Sequence, residues 1–230
     1  VTLPRPLKEI GAGLLLRSQA LRLHGSIFGN GRAIVLLYHR VNDDGDPFFP
    51  ALPRAAFTAQ LDYVAGHYAV EPLDEVVRWL AEGAPGRPRV VLTVDDGYPD
   101  TVEVVLPELV KRGLPATVFL STGALAGEAP LWVDRARWLL KHARAPRLEA
   151  PWPDGQPLPL GSEAERLAAL RVVLAHLKQR PGAEILRALD ALAAALDAQG
   201  PSLTGLAWDG VRRLRAAGVS LGAHGHHHFP

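Results

Sequence analysis

The 230-residue sequence contains no cysteine, which excludes a disulfide framework, a thiolate nucleophile and a cysteine-ligated metal. Any metal must therefore be held by histidine, aspartate or glutamate. Methionine is absent as well, and the longest early apolar run, residues 10–16, is far too short for a membrane span. Glu9 and Arg17 flank that run and make a poor secretion signal. The expectation is no cleaved leader and no transmembrane segment, with a cytoplasmic or peripheral membrane location. An excess of either charge is also missing: 25 basic residues against 24 acidic ones give +1, which excludes a broad electrostatic footprint for nucleic acid. What the chain does have is 48% hydrophobic content, enough for a large core in one α/β domain.

Residues 33–38 are a continuous apolar run between Gly31 and a turn-rich stretch over residues 42–50, read as a strand buried on both faces. Helical spacing at Phe57, Leu61 and Val64 follows, then a short strand candidate at 68–70, a helix over 73–82 closed by Gly83, and the clearest strand, 90–94. Asp100 and Glu103 form an Asp-x-x-Glu helix start, which Pro107 either kinks or delays. Strands at 116–120 and 219–223 complete five, the last preceded by a helix from about Leu206. Strand alternating with helix predicts a parallel sheet with crossover helices. Before the first strand is an expected N-terminal helical segment, residues 1–32, where Leu7, Ile10, Leu14 and Leu21 suit one apolar face. Between about 123 and 204 the pattern changes to a helical insertion: a helix at 132–144, a proline-rich loop at 145–161, and two Ala/Leu-rich helices, the first opened by a Ser162/Glu165 capping box.

Two clusters carry the chemistry. Asp95, Asp96 and Gly97 end the strand at 90–94, and His224, His226, His227 and His228 follow the strand at 219–223. In parallel α/β folds, catalytic groups gather at the carboxyl ends of strands. A hydrolase without a side-chain nucleophile needs a divalent metal, which lowers the pKa of water from about 15.7 to about 7, worth ~12 kcal/mol. Two imidazoles and one carboxylate leave coordination positions open for water and substrate. The second carboxylate can act as general base, because neighbouring strand residues point to opposite faces and divide the two roles. His224 and His228, four residues apart, would meet on one face of a helical turn, with His226 and His227 pointing away. His39, directly after the first strand, could line the same rim, but a satisfied polar residue at a strand end is the favoured reading. Trp132, Trp138 and Trp152 are read as core packing rather than sugar platforms.

Thr93-Val94-Asp95-Asp96-Gly97 resembles the T-F-D-D-G motif of the polysaccharide deacetylases, carbohydrate esterase family 4 or the NodB-homology domain, with Val94 in place of phenylalanine. Residues 222–228 resemble that family's G-x-H-[ST]-x-x-H motif, with Gly225 in place of the hydroxyl residue. Tyr38-His39-Arg40-Val41 and residues 116–120 resemble its opening strand and the strand after the first motif. The resemblance implies a divalent metal held by Asp96, His224 and His228, with Asp95 as general base, and removal of acetyl groups from an N-acetylated glycan. Zinc is the expected ion, although manganese, iron, cobalt and nickel are compatible with the ligand set. The implied fold is an α/β partial (β/α) barrel of the polysaccharide deacetylase type, residues 33–230, carrying the helical insertion.

The family's later motifs, including its general-acid histidine, have no counterpart up to Pro230. The expectation is a chain truncated after the second motif, with five strands that do not close a barrel and little deacetylation by these 230 residues alone. Two alternatives stand beside the glycan deacetylase: an inactive metal- or carbohydrate-binding module, and a metal hydrolase of another non-peptide amide.

Overall fold

The computed structural model describes residues 32–128, 130–149, 156–201 and 205–230. The expected helical segment over residues 1–32 lies outside them but for Arg32, and so does Trp152. In chain order the elements are β1 (Ala33–Tyr38), α1 (Arg54–His67), β2 (Ala69–Val70), α2 (Leu73–Ala81), β3 (Arg89–Asp96), a π-helical turn (Thr101–Val105) leading into α3 (Leu106–Arg112), and β4 (Thr117–Leu120). Then come α4 (Thr122–Leu125), α5 (Trp132–Lys141), β5 (Arg147–Leu148), β6 (Leu158–Pro159), α6 (Glu163–Leu177), α7 (Gly182–Ala195), α8 (Trp208–Ala216) and β7 (Ser220–Ala223).

The main sheet is parallel, in the order β1-β3-β4-β7, with β2 joined to the first residues of β3. It is an open sheet; the described residues form no closed barrel. β3 runs in register with β1 from Ala33↔Arg89 to Tyr38↔Val94 and with β4 from Thr93↔Thr117 to Asp96↔Leu120. Period-two alternation divides β3 into two faces. Val90, Leu92 and Val94 join Phe57, Leu61 and Val64 of α1, Val105 and Leu109, and Val211 and Leu214 of α8 in the principal core. Val91 packs instead with Val76 and Trp79 of α2 and with Ala33.

Among the described residues, the expectation that β1 is buried on both faces is not met. Val35 and Leu37 are each 53% exposed. They share a face with Ala33, and α2 reaches only that end of the strand, whereas Leu36 and Tyr38 turn to the principal core. A continuous apolar run therefore marks a strand, not the number of covered faces.

A second core lies in the helical insertion, where Leu139 and Leu140 meet Leu170, Val173, Leu177, Ile185, Leu189 and Leu196. Ser162 caps α6 through the full reciprocal capping box with Glu165, satisfying two otherwise unpaired donors. Phe48, from the loop after β1, and Trp132 belong to this core and join the insertion to the sheet's carboxyl edge. No helix among the described residues is long and apolar enough to cross a membrane.

Asp100 does not cap a helix. Its carboxylate accepts hydrogen bonds from the Val41 backbone N–H at 3.1 Å and the Asn42 side chain at 3.0 Å, and it makes no capping bond to the turn that follows. Pro107 explains that turn: its ring lacks an N–H and clashes with the carbonyl four residues back. The wider π turn relieves this, with Leu106 N–H bonding Thr101 O. Asp100 thus ties the end of β1 to the loop after β3, across 59 positions of sequence. Burial pushes its carboxyl above the usual range, against the pull of Asn42 and Arg40. Replacing it with alanine leaves the Val41 N–H buried without a partner, at a cost of about 1–3 kcal/mol. Urea denaturation of Asp100→Ala measures this, and a loss under about 0.5 kcal/mol, the scale of an ordinary surface change, would show that the tie is not structural.

Candidate active site

The sheet register assembles the site. Asp96 lies beside Leu120, and Leu120 beside Ala223, so Asp96 is level with Ala223 two strands away and His224 follows one residue beyond. Asp96 Oδ1 is 3.6 Å from His224 Nε2 and 3.3 Å from His228 Nε2. Asp95 Oδ2 is 3.9 Å from His224 Nε2. Asp95 and Asp96 are both buried, and the imidazoles are partly exposed. An open cleft of about 460 Å³ lined by residues 224–229 leads to the solvent.

Alternation along β3 does not by itself separate the two carboxylates. Asp96 has φ of 74° and Gly97 of 75°, so the chain leaves the extended conformation at Asp96, and both carboxylates reach the same imidazole. The histidines also meet differently from the helical turn that their spacing suggests. Residues 224–228 form a bend, with φ of 73° at Gly225 and 56° at His228. The bend is pinned from the β4 side: Thr122 N–H donates to Gly225 O at 3.1 Å and Gly123 N–H to His226 O at 2.8 Å. Those carbonyls are therefore unavailable to a helix. Gly225, at the family's hydroxyl position, takes the left-handed conformation that glycine adopts without strain. The two rings end with centroids 4.8 Å apart.

Several neighbours are not read from the sequence as site residues. Trp132 donates its indole N–H to His228 O at 2.7 Å, so this core tryptophan also fixes the backbone of a site histidine. Tyr98 is buried under the Arg40 guanidinium, which lies 4.7 Å from its ring centroid. Burial, reinforced by the Asp134 and Asp96 carboxylates, pushes its hydroxyl well above the usual phenolic range. Asp134 is buried and paired with Arg137 at 3.0 Å; the i, i+3 spacing on a helix was the available clue. His39, set aside as a strand-end residue, is exposed but close enough for its charge to act on both Asp95 and His228.

Burial holds the Asp95 carboxyl above its ordinary range, against the His224, His39 and His228 imidazoles, which pull it down. Burial likewise pushes His228 below the usual imidazole range, although Asp96 pulls it up. A neutral imidazole is the form that binds a metal. Asp96 Oδ1 is buried and accepts no hydrogen bond, even with two imidazole nitrogens close by. For a tetrahedral ion with bonds of 2.0–2.1 Å, donor atoms sit roughly 3.3 Å apart. Asp96, His224 and His228 offer one donor each, all within 4.8 Å of one another, and so fit such an ion. A larger cleft of about 650 Å³ lies over the insertion helices, lined by Trp138, His142 and Arg166 among others. It has no such group of donors among the described residues.

The family model for polysaccharide deacetylase matches residues 82–230, more than half of the chain and both clusters. The chain belongs to the polysaccharide deacetylase family. Among curated proteins it is similar to YxkH of Bacillus subtilis (strain 168), whose name assigns it provisionally to the polysaccharide deacetylases: 23% identical over 110 residues, 47% of this chain and 38% of YxkH. The match thus spans well under half the length of that relative. Among solved structures it is similar to IcaB from Ammonifex degensii, at 30% identity, TM-score 0.38, covering 42% of this chain and 41% of that one. It is also similar to the Streptococcus pyogenes deacetylase PplD in complex with acetate, at 26% identity, TM-score 0.39, covering 43% and 46%.

The Trp132 anchor can be separated from Trp132 packing. Trp132→Phe keeps most of the buried ring but removes the bond to His228 O, with an expected loss of about 0.5–1.5 kcal/mol. Trp132→Ala adds the cavity, for about 3–5 kcal/mol in all. Equal losses for the two variants in chemical denaturation would sink the anchoring role.

Proposed function

We propose that this chain carries the catalytic centre of a metal-dependent deacetylase that removes acetyl groups from an N-acetylated glycan. In this reading Asp96, His224 and His228 hold a divalent ion, zinc by preference, and Asp95 is the general base. The observation that carries it is the approach of Asp96 Oδ1 to both imidazoles, at 3.6 and 3.3 Å, without a hydrogen bond. When bound, the ion supplies a water of lowered pKa and polarises the acetamide carbonyl. Family membership supports the acetamide as the reacting group, and the cleft over residues 224–229 gives it a route from solvent.

The remaining work falls to the chain's own residues. Asp95 Oδ2, 3.9 Å from His224 Nε2, stands beside the converging donors without being one of the closest three. From there it takes the proton of the attacking water as the carbonyl carbon is approached. The Trp132 indole and two backbone N–H groups of α4 hold the carbonyls of the bend that bears the imidazoles, so that little reorganisation is needed at that moment. Tyr98, buried under Arg40, lies close enough to Asp96 for that carboxylate's charge to act on its hydroxyl.

Paired variants test the division of roles. Asp95→Asn is expected to retain zinc and to lower acetate release from N-acetylglucosamine oligomers by about 10²–10⁴-fold in the full-length protein. Asp96→Asn is expected to lose the metal itself, read by elemental analysis after dialysis. Equal metal loss in both variants would mean that the carboxylates are wrongly assigned, and zinc-loaded full-length protein that releases no acetate from any N-acetylated oligosaccharide would overturn the substrate class.

A further inference from the structure

The bend that carries His224 and His228 also carries His226 and His227, which take no part in the Asp96 cluster. We propose that Glu128, His226 and His227 form a second and separate site for a divalent cation of the zinc class. Each offers one donor atom, and the three atoms lie within 4.8 Å of one another. His226 Nε2 is 2.8 Å from Glu128 Oε2. On the other side of the ring, His226 Nδ1 is 2.9 Å from Thr122 Oγ1, which in turn lies 3.4 Å from Gly225 O. A hydroxyl held on one ring nitrogen fixes the ring's orientation and directs the other nitrogen at the ligand position, as outer partners do for metal-binding histidines.

The backbone that carries these side chains is fixed before any ion arrives. Thr122 and Gly123 bind the carbonyls of Gly225 and His226, and Glu128 N–H donates to Gly123 O at 3.1 Å, so the segment bearing the carboxylate and the bend bearing the imidazoles are already locked together. Gly123 makes this approach possible: a Cβ there would come within 2.7 Å of His226 O and 3.2 Å of His227 Nδ1. The His227 ring packs edge-on to His226, with centroids 4.3 Å apart, and against Phe229 at 5.2 Å. Such preorganisation lowers the entropic cost of binding.

Two imidazoles with one carboxylate select zinc, copper or nickel over magnesium and calcium, which prefer all-oxygen sets. The side chains of His226 and Glu128 are about half exposed, 49% and 52%, against 4% for Asp96, so water competes more strongly here and the second ion is the weaker of the two. Its position has a consequence for the first site. His226 and His227 lie between His224 and His228 in sequence, and an ion cross-linking them to Glu128 braces the bend that presents both first-site imidazoles.

Zinc stoichiometry decides the matter without reference to activity. The wild type, Glu128→Gln, His226→Gln and Asp96→Asn are titrated with zinc against a chromophoric chelator, with far-UV circular dichroism as the check on folding. The expected result is two equivalents for wild type, loss of the weaker one in Glu128→Gln and in His226→Gln, and loss of the tighter one alone in Asp96→Asn. His227→Gln stands in if either of the first two variants misfolds. A single equivalent that disappears only in Asp96→Asn overturns the second site and leaves the proposed catalytic one standing. A single equivalent that disappears only in Glu128→Gln and His226→Gln does the reverse.

Discussion

Everything at the site depends on the parallel register that runs from β3 through β4 to β7. Neighbouring strands lie about 4.8 Å apart, so Asp96 and Ala223, two ladders away, are separated by roughly 10 Å of backbone, a gap that one carboxylate and one imidazole fill from opposite sides. A slip of one residue in either ladder would turn side chains to the other face and carry His224 away from Asp96. The helices earn their place by fixing that register. Val118 and Leu120 are locked into the same core as Val90, Leu92 and Val94, so the apolar pattern leaves the carboxyl ends of the strands with one alignment.

The site also concentrates backbone strain. Asp96 and His228 are both non-glycine residues at positive φ, 74° and 56°, and the left-handed region costs an L-residue roughly 1–2 kcal/mol. Such strain persists where surrounding structure over-determines it. Here Leu206 N–H holds Gly97 O at 2.8 Å, directly after Asp96, and Trp132 holds His228 O at 2.7 Å. One anchor comes from the segment before α8 and the other from the first helix of the insertion. The insertion is therefore more than an appendage on the sheet: its core and the geometry of the second imidazole share a residue.

The sequence makes legible what is local and periodic. The run before Asp95, the Asp-Asp-Gly exit, the histidine-rich stretch after β7 and the Ser162/Glu165 box each announce themselves within a few residues, and all stand where their patterns place them. What stays hidden is long-range. The role of Asp100 depends on Val41 and Asn42, 59 and 58 positions away, and an Asp-x-x-Glu spacing imitates a helix cap well enough to mask it. The bend at 224–228 is set by amide groups of Thr122 and Gly123, so four-residue spacing, the only local information, suggests a helical turn. Burial of Val35 and Leu37 fails for a related reason, since an apolar run is silent about which neighbours cover it.

The long connection between β4 and β7 bears on how the protein is made. Ser121 and His224, whose side-chain hydroxyl and main-chain carbonyl respectively meet at the rim, are 103 positions apart. At ribosomal speeds of about 5–20 residues per second, Asp95 and Asp96 are made roughly 6 to 26 seconds before the histidines. The insertion, whose hydrophobic contacts are mostly internal to it, has time to collapse in that interval, whereas β4 must wait with one edge unpaired for β7. Assembly of the carboxylate–imidazole centre thus follows emergence of the insertion, and the nascent chain between those moments is open to aggregation or to capture by chaperones.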